Sequence, residues 1–501
     1  MNAHFVSPQS SSGSSTARLC FFLAAIIAVH VALRLPHIGH LLSWDEAMNI
    51  LTVRSHAAQV NDEYAAWFSR HPPTMAVILS LLRPFAGGFA ARAEFFSLLV
   101  SIGTLLALFA VARESFGERT AFLAGACFAV MPGAVFFDTW IKQDGLVALF
   151  GLIAIFFWLR RRALPSGIFI GVCCLAKENA VFYAGALFIL WFFERPWNAR
   201  SLAAIVLAPL LIAGWWYVFF STAVADQFSF ATGVKIHQVE NWDKPWWYFL
   251  GKLRLDLGWP GVALAITGIA VCGATRRSAG ADAAVCATNR IWPLAVILPG
   301  YALLTLMAGK APWLNIALLP ALAMIQAVAI GFLLRFIQRP FQSMVFAMLL
   351  TITLLPSARM DHEQFMQKQD YGTWRGANAS RAAALELNRL VEPGARVLIT
   401  PMWYWPEEQH APCPIFACYI KPLDVLIKPN TITAAELIAA VRENRLDWAM
   451  VAPPPGEGEQ RLIAPLIRDQ HLKPVIPDGN MNAIFYVRPL RAETRGTGKT
   501  P

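Results

Sequence analysis

Charge is the first thing this sequence lacks. Only 15% of its 501 residues are Asp, Glu, Lys or Arg, against about a quarter in a soluble domain, and several long runs carry none. With 56% apolar residues, that scarcity excludes a disordered chain and an ordinary water-soluble globule. Cysteine is sparse too, at eight. Cys20, Cys127, Cys173, Cys174 and Cys272 sit in apolar runs as small hydrophobes, so no disulfide scaffold is legible. Cys413 and Cys418, in APCPIFACYI, are close enough to pair in an oxidising compartment, although a free pair is the plainer account. Internal repeats, a glycine-rich phosphate loop and a zinc-protease motif are all missing.

What is present is a succession of apolar runs. A spanning helix needs roughly 20 apolar residues, about 17 at the short end. The first run follows Arg18, reads LCFFLAAIIAVHVALRLP and has no small-residue cleavage signal after it, which marks an uncleaved anchor. Further runs fall at 94–112, 119–137, 145–161, 164–176, 179–194, 201–221, 255–273, 291–308, 313–333 and 341–357. The expected fold is mainly α: a polytopic membrane domain over 18–360 with about eleven spans, or twelve to thirteen on a more generous count. All of the net +10 charge lies in residues 1–360, residues 361–501 being balanced. Arg113 and Arg119, Arg160 to Arg162, Arg195 and Arg200, Arg276, Arg277 and Arg290, and Arg335 and Arg339 fall on alternate turns. Placing them in the cytoplasm puts the outer loops 37–93 and 222–250, Asp144, Lys177, Lys310 and the C-terminal part outside. The parity requires PPTMAVILSLLRPFAGG (72–88) to lie at the interface, or re-enter, rather than cross. Basic residues arranged this way report topology, not nucleic-acid binding.

From about residue 361 the pattern changes. ARVLIT (395–400), LDVLI (423–427), LDWAMVA (446–452) and NAIFYV (482–487) read as strands, and 382–391 and 434–444 as helices. A small soluble α/β domain over 361–490 is expected.

The polar residues of interest gather at the outer face. Asp45 and Glu46 open the loop after the first span, and both also suit a helix start. Arg54 follows on the same helix, where it suits a salt bridge equally well. His71 precedes Pro72 and Pro73, which stop a helix beside the membrane. Asp144 opens a span, where Gly145 also fits an N-cap. Lys177 and Glu178 break one apolar stretch into two short halves, as a mutual pair or as part of a site. Lys310 stands before Pro312 and Trp313, an interfacial tryptophan. His237 and Asp243 lie in the aromatic-rich loop 222–250, which can receive a glycan or simply cover the membrane. Cations at one membrane face suit a phosphate leaving group. A carboxylate suits proton removal from a hydroxyl or amine.

Over residues 18–330 these motifs resemble the polytopic GT-C glycosyltransferases that use polyprenyl-phosphate sugars, among them the protein O-mannosyltransferases and the lipid A aminoarabinose transferases. WDEA places Asp45 and Glu46 on the family's first-loop acidic position. His71–Pro72–Pro73 matches its Lys/His-Pro-Pro element, KQDGL puts Asp144 on the later acidic residue, and GIFIGVCCLAKE ends on the family's lysine at Lys177. Lys310 to Trp313 matches a late lysine that meets lipid phosphate. The resemblance implies transfer of a sugar, with inversion, from a polyprenyl phosphate to a protein, lipid or envelope-glycan acceptor on the non-cytoplasmic face of a bacterial inner membrane. Asp45, Glu46 and Asp144 would be catalytic; Arg54, His71, Lys177, Glu178, His237, Lys310 and Trp313 would bind substrate. Some relatives hold a divalent metal between the two aspartates, which leaves room for one on Asp45 and Asp144. A non-catalytic transporter or scaffold for envelope glycans is the competing class.

Overall fold

The computed structural model describes residues 12–58, 71–82, 89–194, 197–231, 244–277, 290–307, 310–358, 360–368, 374–392, 394–399, 414–420, 424–427, 433–443, 446, 448–451, 472–474 and 485–489. They form two compact units. One comprises Met1–Gly39 with Arg70–Asp370, the other His40–Ser69 with Tyr371–Pro501.

Among the described residues, the regular structure of the first unit is all helical. Its helices are α1 (Ser12–Arg34), α3 (Thr74–Leu82), α4 (Phe89–Phe116), α5 (Glu118–Val130), α6 (Pro132–Phe137), α7 (Gln143–Leu159), α8 (Ala163–Ala176), α9 (Val181–Phe193), α10 (Ala199–Phe219), α11 (Ser221–Ala231), α12 (Tyr248–Arg277), α13 (Trp292–Leu306), α14 (Leu319–Leu333), α15 (Arg339–Ala358) and α16 (His362–Lys368); α2 belongs to the other unit. Five segments among the described residues are long and apolar enough to cross a membrane: Ala17–His37, Ala90–Phe116, Ala199–Phe219, Tyr248–Ala274 and Pro312–Phe336. The helical parts of 143–159, 163–176, 178–193, 292–306 and 339–355 are apolar but shorter.

Several expected runs are interrupted for local reasons. The run 119–137 breaks at Met131, which turns extended (ψ 123°) ahead of Pro132, as a residue before proline prefers. Helix α12 kinks at Gly258, whose φ of 69° only glycine adopts without strain. In the stretch 72–88, α3 has nine residues, about 14 Å of helix, too short to span an apolar core of about 30 Å. Where α8 meets α10 the backbones nearly touch. A Cβ on Gly167 would lie 2.2 Å from the Ala204 carbonyl oxygen, and one on Gly171 2.8 Å from the Ile212 Cβ. Small residues of this kind let membrane helices pack by dispersion.

The second unit holds α2 (Trp44–Ala58), α17 (Trp374–Leu390), α18 (Pro414–Tyr419) and α19 (Ala434–Glu443) with a five-stranded sheet. The strands are β1 (Arg396–Ile399), β2 (Asp424–Ile427), β3 (Trp448–Val451), β4 (Leu472–Pro474) and β5 (Phe485–Pro489), in the order β2-β1-β3-β5-β4. β1 runs parallel to β2 and β3, with Val397 opposite Trp448, while β5 is antiparallel to β3 and β4. Four strands coincide with the apolar runs read from sequence; β4, with its single apolar Leu472 ahead of Lys473 and Pro474, offered no such run. Val397, Leu398, Ile399, Leu437 and Ala449 are buried in this unit. Met48 and Leu51 of α2 pack with Ala417 of α18, so the segment after the first span folds with the C-terminal part of the chain.

Candidate active site

Helix α8 ends because Lys177 turns to extended backbone (φ −166°, ψ 157°). A helix that stops inside an apolar bundle leaves carbonyls without donors. Two of them are met by hydroxyls of other helices: Thr74 Oγ1 donates to the Leu175 carbonyl at 2.7 Å, and Tyr217 OH to that of Cys174 at 2.9 Å. One 3₁₀ turn, Glu178–Ala180, then leads into α9.

That break faces Asp144 at the start of α7. Asp144 is fully buried, and one carboxylate oxygen accepts from Lys177 Nζ at 2.7 Å while the other accepts from Asn179 Nδ2 at 2.6 Å. The N-cap position of α7 is Lys142, with no capping side chain, so Asp144 is not the cap that Gly145 allowed. Lys177 pairs with Asp144, and Glu178 Oε1 lies 3.9 Å from His71 Nδ1. The structure therefore brings His71, Asp144, Lys177 and Glu178 together.

The loop that delivers Asp144 is fastened on three sides. Asp138 is bonded by Arg34 Nε at 2.8 Å and by Ser101 Oγ at 2.5 Å, and Ser101 Oγ is 2.8 Å from His30 Nε2. Trp140 Nε1 donates to His362 Nε2 at 3.0 Å. The Lys142 ammonium sits 3.9 Å from the Trp313 ring centre, a cation–π contact. Trp313 is carried on a 3₁₀ segment, Pro312–Leu318. Tyr183 OH holds this segment at the Ala317 carbonyl (2.8 Å), and Asn315 donates to Asp256 at 2.7 Å while accepting from Tyr301 at 2.6 Å. Lys310, also buried, donates to the Met307 carbonyl. Sequence reasoning passed over Arg34, Lys142, Asn179, Asp256 and His362. Charge inside an apolar run was the available signal for Arg34 and Asp256; for Asn179 there was none.

Asp45, Glu46 and Arg54 lie in the second unit. Ser43 is the N-cap of α2: its carbonyl accepts from Ala47 N at 3.0 Å, and its own N–H donates to Glu46 Oε2 at 2.8 Å, the N3-to-N-cap half of a capping box. The other Glu46 oxygen is 3.1 Å from His40 Nε2, and Glu46 is fully buried. Asp45 is half-buried in the first turn of the same helix. Burial pushes the Tyr419 phenol up to about 12, and the nearby Glu46 charge adds to that shift. Arg54 falls on the described backbone of α2, whereas His237, Asp243 and Cys413 lie outside the described residues.

Each Asp144 oxygen accepts one hydrogen bond, and the Lys177 ammonium supplies the positive charge that faces the carboxylate. Among the described residues no three His, Cys, Asp or Glu side chains gather as a metal site.

Comparison with known proteins matches the same stretch of chain. Residues 70–217, the interval from His71 to the Tyr217 that holds the helix break, match the dolichyl-phosphate-mannose-protein mannosyltransferase family. No curated protein matches the chain by sequence. Among solved structures, ArnT from Cupriavidus metallidurans bound to undecaprenyl phosphate is similar at TM-score 0.62 and 14% identity, over 96% of this chain and 99% of that one. AglB, the oligosaccharyltransferase of the archaeon Archaeoglobus fulgidus solved with an inhibitory peptide and a dolichol-phosphate, reaches 0.54 at 10% identity over 88% and 70%. The arabinofuranosyltransferase AftD from Mycobacteria reaches 0.52 at 16% identity over 94% and 40%. By sequence over residues 70–217 and by fold over nearly its whole length, this chain resembles the GT-C membrane glycosyltransferases that work with polyprenyl-phosphate carriers.

Proposed function

We propose that this protein transfers a sugar from a polyprenyl monophosphate to a lipid, glycan or protein acceptor on the non-cytoplasmic face of a bacterial inner membrane. One observation carries the reading. The Asp144–Lys177–Asn179 constellation, its ion pair buried and His71 and Glu178 beside it, lies inside the interval that matches the mannosyltransferase family.

The polyprenyl tail of the donor stays in the bilayer and presents its phosphate at the depth of the helix break. Lys177 and Lys310 serve the donor phosphate, with Trp313 and His71 shaping its surroundings. Asp144 and Asn179 keep the Lys177 ammonium in place. As the bond from the anomeric carbon to the phosphate oxygen breaks, that oxygen keeps the electron pair and polyprenyl phosphate departs. Fixed cations stabilise the charge that grows there. The acceptor hydroxyl or amine attacks the opposite face of the anomeric carbon, and its proton passes to the Asp45 carboxylate. A single displacement inverts the anomeric configuration. Glu46 serves by holding the first turn of the helix that carries Asp45, while Arg54 and His237 contact the acceptor. The α/β part of the chain faces the same side of the membrane.

The test uses the full-length protein in liposomes with a panel of polyprenyl-phosphate sugars and an envelope lipid and glycan extract. Consumption of one donor, with release of polyprenyl monophosphate and an inverted product, is expected. Binding of undecaprenyl phosphate without turnover of any donor would overturn it in favour of a carrier or scaffold.

A further inference from the structure

Building on that reaction, we infer that Asn179 is a positioning residue: its side-chain amide holds the Asp144 carboxylate so that the other oxygen stays on Lys177. The geometry is specific. Asn179 Nδ2 reaches Asp144 Oδ1 at 2.6 Å while Lys177 Nζ reaches Oδ2 at 2.7 Å. A carboxylate held at both oxygens cannot rotate about its terminal torsion, so its oxygen, and the ammonium on it, keep one direction. Because an ionised carboxylate only accepts, the NH₂ end of the amide must face it. The consequence is visible at the other end, where Asn179 Oδ1 is buried with no hydrogen-bond partner among the described residues. A buried unsatisfied acceptor is unfavourable. The side chain nonetheless keeps this orientation, so the bond to Asp144 is the stronger demand.

The backbone explains how Asn179 reaches this place. Continuing α8 would carry residue 179 away along the helix. The extended Lys177 and the single 3₁₀ turn after it swing Lys177 and Asn179 onto the same carboxylate, two residues apart. Thr74 and Tyr217 hold the end of α8 on which that turn is built. Asn179 thus acts through Asp144 and Lys177, without itself meeting the reacting atoms.

The test compares wild type, Asn179→Ala and Asn179→Asp in liposomes, reading the transfer rate at saturating donor and the binding of undecaprenyl phosphate. Loss of a hydrogen bond to a charged group predicts a maximal rate about tenfold lower for Asn179→Ala. Asn179→Asp, nearly the same size, turns a donor into a second carboxylate against Asp144 and is expected to be slower still. A residue that merely fills space gives the reverse order, with Asp close to wild type and Ala impaired; that order, or no effect of either change, overturns the inference and leaves the transferase reading intact. A wild type inactive with every donor overturns both. Melting in one detergent checks the fold of each variant. Where Asn179→Asp does not fold, Asn179→Ala is combined with Asp144→Asn. The double variant should then match Asp144→Asn alone, and losses that multiply instead overturn the inference.

Discussion

A charge in an apolar interior survives only beside a partner, and the central residues of this protein are arranged on that rule. Lys177 and Asp144 are 10% and 0% exposed at their side chains, so removing one strands the other. Lys177→Met is expected to lose about 3–5 kcal/mol of stability, read as a lower melting temperature in detergent, and adding Asp144→Asn should recover much of it. A Lys177→Met protein as stable as wild type would show that the pair does not hold the break. The two acidic residues of WDEA separate in the same way. Glu46 is spent on the cap of α2, so Glu46→Ala should cost about 0.5–2 kcal/mol. Asp45→Asn should leave melting unchanged and slow transfer by about 10²–10⁴; near-normal transfer by that variant would remove Asp45 from the mechanism. Residue types near a membrane boundary were legible without a structure. Their partners were not, because the Asp144–Lys177 bond joins positions far apart in sequence that share no local pattern.

At the scale of elements, Pro72 and Pro73 were legible as a helix stop, whereas Pro132 and Gly258 lay unnoticed inside runs read as single spans. Pro72 and Pro73 precede the short α3, Pro132 divides a run read as one span, and Gly258 kinks α12. The break at Lys177 carries neither proline nor glycine at its turning point. It depends on Thr74 and Tyr217, from α3 and α10, accepting the role of donors to stranded carbonyls. The packing of α8 on α10 is equally exacting. Gly167→Val would drive a branched side chain into the Ala204 carbonyl, and overpacking of this kind typically costs about 1–3 kcal/mol. A lower melting temperature and weaker transfer are expected together, since α8 carries Lys177 on its end. Unchanged melting would mean the two helices can part without cost.

For the whole molecule, the alternation of arginine-rich turns predicts that the loop 222–250 and the C-terminal part face outward. Single cysteines at Lys235 and Asn430, in a chain otherwise free of cysteine, should react with an impermeant thiol reagent in intact cells; labelling only after permeabilisation would reverse the assignment. A mainly helical chain with apolar runs of membrane length, an α/β pattern from about residue 361 and the polar residues near helix ends were all legible in the amino-acid order. These properties follow from hydropathy, periodicity and charge placement, which act over one or two turns of chain. Packing settled that the segment containing WDEA folds with the C-terminal strands, that Arg34 and Asp138 pair, and that Asn179 meets Asp144. Those outcomes come from burying polar groups where water cannot reach them. Each such group must then find its partner wherever the fold happens to place one.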